Sequence, residues 1–219
     1  MSLVIALDGP SGSGKSTVGR HLARVHGLGY LDTGAMFRAA AWFCESEDID
    51  LLDGDAVARA VLDLRLEMEL DPDSTRVVVA GVDVTEAIRT TEISTHVSKV
   101  ATNLEVRAEL KRRQREIIAQ EQTEAGWSGG RGIVAEGRDI TTVIAPDADV
   151  RILLVAREAA RLARRAIELH GSDDDAAIEA TKDQILRRDA DDSTVSQFHA
   201  AADGVITLDS STLNLAETL

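Results

Sequence analysis

A glycine-rich segment near the beginning of the sequence carries the residues with the clearest chemistry. Gly9, Pro10, Ser11, Gly12, Ser13, Gly14, Lys15 and Ser16 fit the pattern G-x-x-x-x-G-K-[ST], and Thr17 follows them as a further ATP-binding candidate. In this pattern the backbone N–H groups curl around phosphates, the lysine reaches the β- and γ-phosphates, and the next hydroxyl holds Mg²⁺. We therefore predict a nucleoside triphosphate site with Lys15 as a catalytic cation and Ser16 as the metal ligand.

The elements around this segment fit a phosphate-binding loop. Residues 3–7 form a short apolar run typical of a strand buried on both faces, and apolar residues at helical spacing follow Ser16 up to Gly27. A second strand at about 29–31 and a helix at about 35–44 continue the βαβα order of a parallel sheet. Pattern and context together favour phosphate binding over a merely flexible glycine turn.

The remaining chain adds a small antiparallel part to this parallel core. Residues 64–70 and 76–80 predict a β-hairpin, with a third short strand at 82–84. A helical pattern covers 91–121, with a break and a new cap at Asn103. Further strands are predicted at 132–135, 150–155 and 205–208, and further helices at 157–168 and 176–188.

We therefore predict an α/β fold, a three-layer P-loop NTP-binding core with a parallel sheet. Residues 1–219 are expected to form a single domain. A small antiparallel insertion is expected at about 62–92, and a short arginine-bearing lid is expected at about 157–175. The predicted strand at 132–135 ends in polar residues, at the edge where ligands of open α/β sheets bind.

Composition limits the partners. The 219 residues carry a formal net charge of −14, which repels nucleic acids and anionic membrane surfaces. Cys44 is the only cysteine, so neither an intrachain disulfide nor a thiolate metal cluster is possible. The first residues lead into a predicted strand without a charged or apolar leader, so we expect a cytoplasmic location. No apolar stripe demands a partner, and we expect a monomer.

A phosphate-binding loop alone does not separate a kinase from a GTPase or a motor ATPase. The guanine-binding pattern Asn-Lys-x-Asp has its nearest match at Thr181, Lys182 and Asp183, inside a predicted helix. Glu136 fits the catalytic carboxylate of a motor ATPase, but the chain is short for the accessory domains of that class. These observations favour a small kinase.

A small kinase needs several arginines around an anionic acceptor and the transferred phosphoryl group. Arg38 and Arg138 follow the ends of predicted strands. Arg161 is one helical turn from both Arg164 and Arg165, so the three side chains can close over phosphates as a lid. Without further context, such a triplet is more often a solvated helix face.

Several segments together resemble the bacterial cytidylate kinase family. In chain order they are Asp32-Thr33-Gly34-Ala35-Met36-Phe37-Arg38, Glu86-Ala87-Ile88-Arg89-Thr90, Val106-Arg107, Glu136-Gly137-Arg138-Asp139, and Arg187-Arg188-Asp189 through Asp192-Ser193-Thr194. The glycine loop is shared by many nucleotide-binding proteins, whereas the Glu-Gly-Arg-Asp and Asp-Thr-Gly-Ala segments with the hairpin insertion are specific. The resemblance implies transfer of the ATP γ-phosphate to CMP or dCMP, with Mg²⁺, giving ADP and the diphosphate.

The resemblance also implies roles for individual residues. Ser98, Arg107 and Asp139 would surround the cytosine ring, Arg38 and Arg138 the acceptor phosphate, and Thr33, Arg188 and Asp192 the ribose side, and the insertion at about 62–92 would belong to the nucleoside-monophosphate-binding region. From their positions, Lys15, Arg138 and the lid residues Arg161 and Arg164 are predicted to act in catalysis. Cytosine presents an amino donor beside the acceptors N3 and O2. A carboxylate and a guanidinium match that edge.

Three departures from the family pattern leave alternatives open. After Thr194 the family continues with an Arg and soon a Pro, whereas this chain reads Val195-Ser196-Gln197-Phe198-His199. Phe37 stands where Tyr is usual, and Thr141 where Gly is common. The alternatives are another small P-loop kinase acting on UMP or a small metabolite, and a nucleotide-binding module with weak catalysis.

Overall fold

The computed structural model describes residues 2–219, with the backbone alone at 183 and 184. Met1, at the start that is predicted to have no leader, lies outside the described residues. The side chain of Asp183, in the nearest match to the guanine-binding pattern, also lies outside them. The described strands are β1 (Leu3–Asp8), β2 (Gly29–Asp32), β3 (Leu66–Met68), β4 (Val77–Val79), β5 (Val82–Asp83), β6 (Gly132–Gly137), β7 (Val150–Val155) and β8 (Ile206–Asp209). The described α-helices are α1 (Lys15–His26), α2 (Thr33–Ser46), α3 (Gly54–Asp63), α4 (Thr91–Ala101), α5 (Leu104–Glu121), α6 (Glu158–His170), α7 (Asp175–Ser193) and α8 (Leu215–Thr218).

The strands form two sheets. Five of them make a parallel sheet in the order β2, β6, β1, β7, β8. The strands β3, β4 and β5 make a separate antiparallel sheet. The predicted parallel core with a small antiparallel hairpin unit is therefore confirmed.

Alternating residues of the central strands explain the three layers. Val4 and Ala6 of β1 belong to the large core on the side of α2, α4 and α5. Ile5 packs in a second cluster with Ala23 of α1, and Leu7 packs with Val18 of the same helix. Because successive side chains of a strand point to opposite faces, helices cover the sheet on both sides.

Local signals account for the observed helix ends. Gly27 adopts a left-handed conformation with φ 63° and ends α1, as its position after the apolar period predicts. The Asn103 side chain accepts hydrogen bonds from the backbone N–H groups of Glu105 and Val106, so α5 begins at the predicted break. None of the helices in residues 2–219 combines the length and apolar character that a membrane crossing requires.

Two of the described helices, α3 and the four-residue α8, were not predicted from the sequence. The helix α3 begins after Asp53, whose side chain accepts from the N–H of Ala56, and it buries Val57, Ala58 and Val61. The spacing of these apolar residues was the available signal. Its segment leads directly into the antiparallel sheet.

The parallel arrangement brings distant polar residues to one edge. In the strand register Asp8 is opposite Gly137, and Asp32 is opposite Glu136. Parallel strands end on the same side of a sheet, so the residues that follow β1, β2 and β6 meet there. The candidate site lies at this carboxyl edge.

Candidate active site

A cavity of about 750 Å³ opens at the carboxyl edge of the parallel sheet. The glycine loop forms one end of its wall. The ends of β2 and β6 and parts of α4, α6 and α7 form the rest, together with the segment that follows β8. One cavity therefore has room for two ligands side by side, with one of them against the loop.

The glycine loop is shaped for anions. Gly12 has φ 74°, and a Cβ atom there would lie 2.7 Å from the carbonyl oxygen of Arg161, so only glycine fits. Gly14 caps α1 in a left-handed conformation, and among the described residues no side-chain cap hydrogen bond is made at that helix start. These amides and the positive end of the helix dipole are available to a phosphate.

Lys15 is the cation of this loop. Its Nζ donates to the carbonyl oxygen of Pro10 at 2.9 Å. Burial, and next the charge of Arg138, lower the pKa of Lys15 to about 8, although Glu136 and Asp189 act in the opposite direction. The ammonium is thus poorly compensated in the free protein, which favours an added anion beside it.

Two carboxylates lie beside the loop at the ends of β2 and β6. Burial raises the pKa of Glu136, and the charge of Asp32 raises it further. The Tyr30 hydroxyl donates to Oε1 of Glu136, while Oε2 is buried without a hydrogen-bond partner among the described residues. Such an orphaned carboxylate oxygen in a cavity wall favours a bound cation or water.

A cluster of guanidinium groups lies next to these carboxylates. Arg138 donates to Asp192 and pairs with Asp189, both at 2.8 Å. Burial and the charge of Arg138 lower the pKa of Arg188 to about 10, and Arg38 contributes in the same direction. Like charges gathered in a buried place destabilise one another, so the cluster formed by Arg38, Arg138 and Arg188 attracts a multiply charged anion.

Arg38 is aimed into the cavity by Asp32. One oxygen of Asp32 accepts from the N–H of Ala35 at the start of α2, and the other accepts from Arg38 at 2.9 Å. Burial opposes ionisation of Asp32, but the Arg38 charge and the Ala35 hydrogen bond outweigh it, and the pKa of Asp32 is lowered. A fixed carboxylate therefore orients the phosphate-binding candidate Arg38.

A polar recess lies around Asp139. Oδ2 of Asp139 is held by Arg107 at 2.6 Å and by Lys111 at 3.1 Å. The guanidinium carbon of Arg107 lies 5.7 Å from the centre of the Phe37 ring, and its Nη2 also donates to Ser196 at 2.7 Å. No described hydrogen bond engages the other carboxylate oxygen of Asp139, which leaves it for a ligand donor.

Asp8 holds the segment after Asp139 in place. It accepts from the backbone N–H groups of Ile140 and Thr141 at 2.9 and 2.8 Å, and from the Thr141 hydroxyl at 2.6 Å. Burial raises the pKa of Asp8, and these hydrogen bonds oppose the shift in part. The threonine that departs from the family pattern therefore has a structural use, because its hydroxyl is bonded to Asp8.

The arginines of α6 are used differently from one another. Arg161 donates to the carbonyl oxygen of Ser11 at 2.9 Å and to Asp189, and it does not line the cavity. Arg164 donates to Ser210 at 3.0 Å and to nearby carbonyl oxygens, and both Arg164 and Arg165 line the cavity. In this structure Arg161 braces the glycine loop, so direct contact of Arg161 with phosphate stays a prediction.

The structure brings most predicted site residues together. Those that line the cavity are Ser11, Gly12, Ser13, Gly14, Lys15, Ser16, Thr17, Thr33, Arg38, Arg107, Arg138, Asp139, Arg164, Arg188 and Asp192. The predicted residues outside its wall are Gly9, Pro10, Ser98 and Arg161. Ser98 is buried on α4, and Ser94, one helical turn earlier, lines the cavity instead.

Sequence reasoning did not assign several residues that belong to this region. Cavity-lining residues of this kind are Arg89, Ser94, Ser196 and Asn214, and bracing residues are Asp8, Lys111 and Asp189. The spacing of Ser94 before Ser98 was an available signal. Asp8 had no local signal, because Thr141 is far away in the chain, whereas Asp189 belongs to a family segment that did not by itself indicate its role.

A phosphate-binding loop, an arginine cluster and a separate polar recess within one cavity define a P-loop phosphotransferase with two anionic substrates. Residues 5–219 match the family model described as "Cytidylate kinase". The chain belongs to the cytidylate kinase family, so the resemblance predicted from the sequence is confirmed.

Individual relatives agree with this assignment. A cytidylate kinase from Cutibacterium acnes is 47% identical and covers 99% of this chain and 92% of its own length. One from Streptomyces avermitilis is 39% identical, with coverages of 100% and 90%. One from Mycobacterium avium is 40% identical, with coverages of 99% and 92%.

Proposed function

We propose that the protein transfers the γ-phosphate of ATP to CMP or dCMP, giving ADP and CDP or dCDP. The observation that carries this proposal is the Asp139–Arg107 pair at 2.6 Å, which lies in the same cavity as the glycine loop. It offers one acceptor and further donors, as the edge of cytosine requires. Family membership of residues 5–219 supports the same reaction.

The donor triphosphate is placed against the glycine loop. The N–H groups at the start of α1 and the ammonium of Lys15 hold its phosphates and stabilise the charge that develops on the leaving oxygens. Gly12 allows the loop backbone to approach the phosphates closely. Arg164 and Arg165 line the cavity on the α6 side and contribute further positive charge.

The residues present fit a Mg²⁺ ion bound with ATP. Mg²⁺ prefers a few protein oxygens together with waters and phosphate oxygens. Ser16 lines the cavity and would hold the ion through its hydroxyl, and the unpartnered Oε2 of Glu136 would supply a carboxylate oxygen for the ion or its water. When bound, the ion neutralises charge on the phosphates.

The acceptor phosphate is placed at the arginine cluster. Arg38 and Arg138 hold it near the line of attack on the γ-phosphorus, and Arg188 adds charge on the ribose side with Thr33 and Asp192. The reaction of this class needs positioning and charge rather than a covalent enzyme intermediate. The Asp32 and Asp192 carboxylates keep the guanidinium groups oriented before the substrate arrives.

The base is placed at Asp139. Arg107 and Lys111 occupy one carboxylate oxygen, so the second accepts from the amino group of cytosine. Uracil presents a carbonyl oxygen at that position, which would face the carboxylate without a hydrogen bond. This mismatch favours cytosine over uracil, and a contact between Ser98 and the base is part of the same proposal.

Several predictions of organisation are kept as part of this proposal. We expect the segment at about 62–92 to act as a nucleoside-monophosphate-binding insertion and the segment at about 157–175 to act as a lid within a single domain. A monomeric state and a cytoplasmic location are also proposed. Gel filtration with light scattering would test the monomer directly.

Asp139→Ala should raise the KM for CMP by about a hundredfold while changing the KM for ATP less than about threefold. The reason is that the variant loses the acceptor for the amino group and leaves the positive charges of Arg107 and Lys111 unpaired. Steady-state ADP formation with each substrate varied measures both constants. Asp147→Ala, which removes an exposed carboxylate after the same loop, is the matched control.

The same assay tests the function itself. Wild-type protein is given ATP with CMP, dCMP, UMP or a panel of small phosphate acceptors, and CMP or dCMP should give the highest kcat/KM. A higher kcat/KM for UMP or for a small metabolite would replace the proposed acceptor. ATP binding without any acceptor-dependent ADP formation would show a nucleotide-binding module. Equal effects of Asp139→Ala on both substrates would refute the assignment of Asp139.

ATP affinity should fall as the pH rises above about 8. The pKa of Lys15 is lowered to about 8 in the free protein, so its amino group carries a positive charge below that pH and is neutral above it. A bound triphosphate raises this pKa again, and Mg-ATP binding at pH 8.5 should therefore take up protons, with almost none at pH 6.5. Calorimetry in buffers of different ionisation enthalpy measures the uptake. Lys15→Arg keeps a charge that does not titrate, and uptake that persists in this variant would contradict the assignment.

A further inference from the structure

Ser196 lies where the chain departs from the family pattern after Thr194. It follows the end of α7 at Ser193, is 8% exposed, and lines the cavity. Its Oγ accepts a hydrogen bond of 2.7 Å from Nη2 of Arg107, the same nitrogen that donates to Asp139 at 2.6 Å. The Ser196 hydroxyl is therefore part of the polar recess, although nothing in its local sequence suggests it.

The segment that carries Ser196 is held firmly on both sides. Val195 donates its backbone N–H to the carbonyl oxygen of Asp192 at 3.2 Å. Phe198 is completely buried, and the guanidinium carbon of Arg138 lies 4.3 Å from the centre of its ring. Ser196 thus lies between two anchors that are themselves attached to the acceptor site.

A count of donors shows that Arg107 keeps two of its five N–H groups, one on Nε and one on Nη1, for the base. Both hydrogens of Nη2 are used, by Asp139 and by Ser196, and one hydrogen of Nη1 is used by the carbonyl oxygen of Ala101 at 3.1 Å. The edge of cytosine presents one donor and two acceptors. Asp139 receives the donor, and the guanidinium retains few N–H groups for the two acceptors.

We propose that the Ser196 hydroxyl, which lines the cavity beside Arg107, supplies a further donor and binds the O2 oxygen of cytosine in the acceptor nucleotide. Because Ser196 accepts from Arg107, its own proton points elsewhere, and no described residue accepts it. A hydroxyl that accepts from one partner is free to donate to another. This assignment rests on the proposed function, since it names a further contact with the same nucleotide.

Ser196→Ala should raise the KM for CMP about fivefold to tenfold, the usual effect of one lost hydrogen bond, and leave the KM for ATP unchanged. Ser193→Ala removes an exposed hydroxyl three residues earlier and should change neither constant. Ser196→Cys keeps the side-chain volume but donates weakly, and it should reproduce the effect of alanine. The thermal unfolding temperature of each variant is the control that checks whether its fold is retained.

A modified substrate separates direct contact from orientation of Arg107. In 2-thio-CMP a weakly accepting sulfur replaces O2, so the wild-type protein should have a higher KM for 2-thio-CMP than for CMP. With 2-thio-CMP as the acceptor, Ser196→Ala should raise the KM little further. If Ser196→Ala raised the KM by the same factor for CMP and for 2-thio-CMP, Ser196 would only orient Arg107, and the proposal would be overturned. An unchanged KM for CMP in active Ser196→Ala would overturn this inference alone. Wild-type protein without CMP-dependent ADP formation would overturn the proposed function together with it.

Discussion

Lys15→Ala should reduce CMP-dependent ADP formation by about a thousandfold. Lys15 is the one lysine of the glycine loop and lies at the start of α1, where the triphosphate is proposed to bind. Removal of a single preorganised positive group from a phosphoryl-transfer site has effects of this order. A coupled assay of ADP at saturating CMP measures the rate, and a variant that keeps a tenth of wild-type turnover would refute the role.

The fold of the Lys15 variant should be intact, which separates catalysis from folding. The pKa of Lys15 is depressed to about 8, so the folded state disfavours the charged form, and this cost is present at pH values below 8. Alanine removes the cost, and the unfolding temperature at pH 7 should therefore stay equal or rise. Lys99→Ala, which changes an exposed lysine of α4, is the control and should keep full activity.

Arg138→Ala should lower kcat by about a hundredfold to a thousandfold and should also raise the KM for CMP. Arg138 is held by Asp189 and Asp192 at 2.8 Å and lies over the Phe198 ring, so its fork is fixed before a phosphate binds. The loss of that preorganised group misplaces the acceptor phosphate relative to the γ-phosphorus. Single-turnover rates at saturating ATP and CMP separate the chemical step from binding.

Two further variants separate the charge of Arg138 from the planar geometry of its guanidinium group. Arg138→Lys keeps the charge but loses the planar fork, so it should recover only part of the rate. Arg112→Ala removes an exposed arginine of α5 and should leave both kcat and KM unchanged. Full activity of Arg138→Lys would mean that charge alone is sufficient, which would contradict a role in orienting the phosphate.

Stability provides a second readout for this site. Burial raises the pKa of Asp189, but the charge of Arg138 and the hydrogen bond from Arg161 outweigh it, so the net pKa is lowered. A carboxyl group whose pKa is lowered by folding stabilises the folded state at pH values above its pKa in the unfolded chain. This stabilisation is lost as the pH falls through the pKa of the folded state. The acid side of the unfolding curve should therefore lie at higher pH in Arg138→Ala than in the wild type.

Features that depend on neighbours in the chain were predictable. The glycine loop, the stop at Gly27, the cap at Asn103 and the alternating hairpin follow from local conformational preferences, and the structure has them where the sequence predicts. The family segments also contain many of the polar cavity-lining residues outside the glycine loop. Such signals survive in the sequence because each depends on only a few consecutive side chains.

Features that depend on distant partners were not predictable. Asp8 holds Thr141 across 133 residues, and Ser196 meets Arg107 across 89 residues. The spacing of the α6 arginines shows which of them share a helix face, but it does not show that Arg161 meets Ser11 and Asp189. Pairings of this kind arise only when the parallel strands bring their carboxyl ends together.

By itself, therefore, the sequence determined that this protein binds phosphates at a glycine loop on a parallel sheet and belongs with the cytidylate kinases. Only the tertiary structure decided which side chains face the cavity and which brace its walls. The physical reason is that local preferences set the backbone of each element, whereas a hydrogen bond or ion pair needs atoms within about 3 Å, and that distance is set by packing. Lys111, Asp189 and Ser196 enter the site in this way.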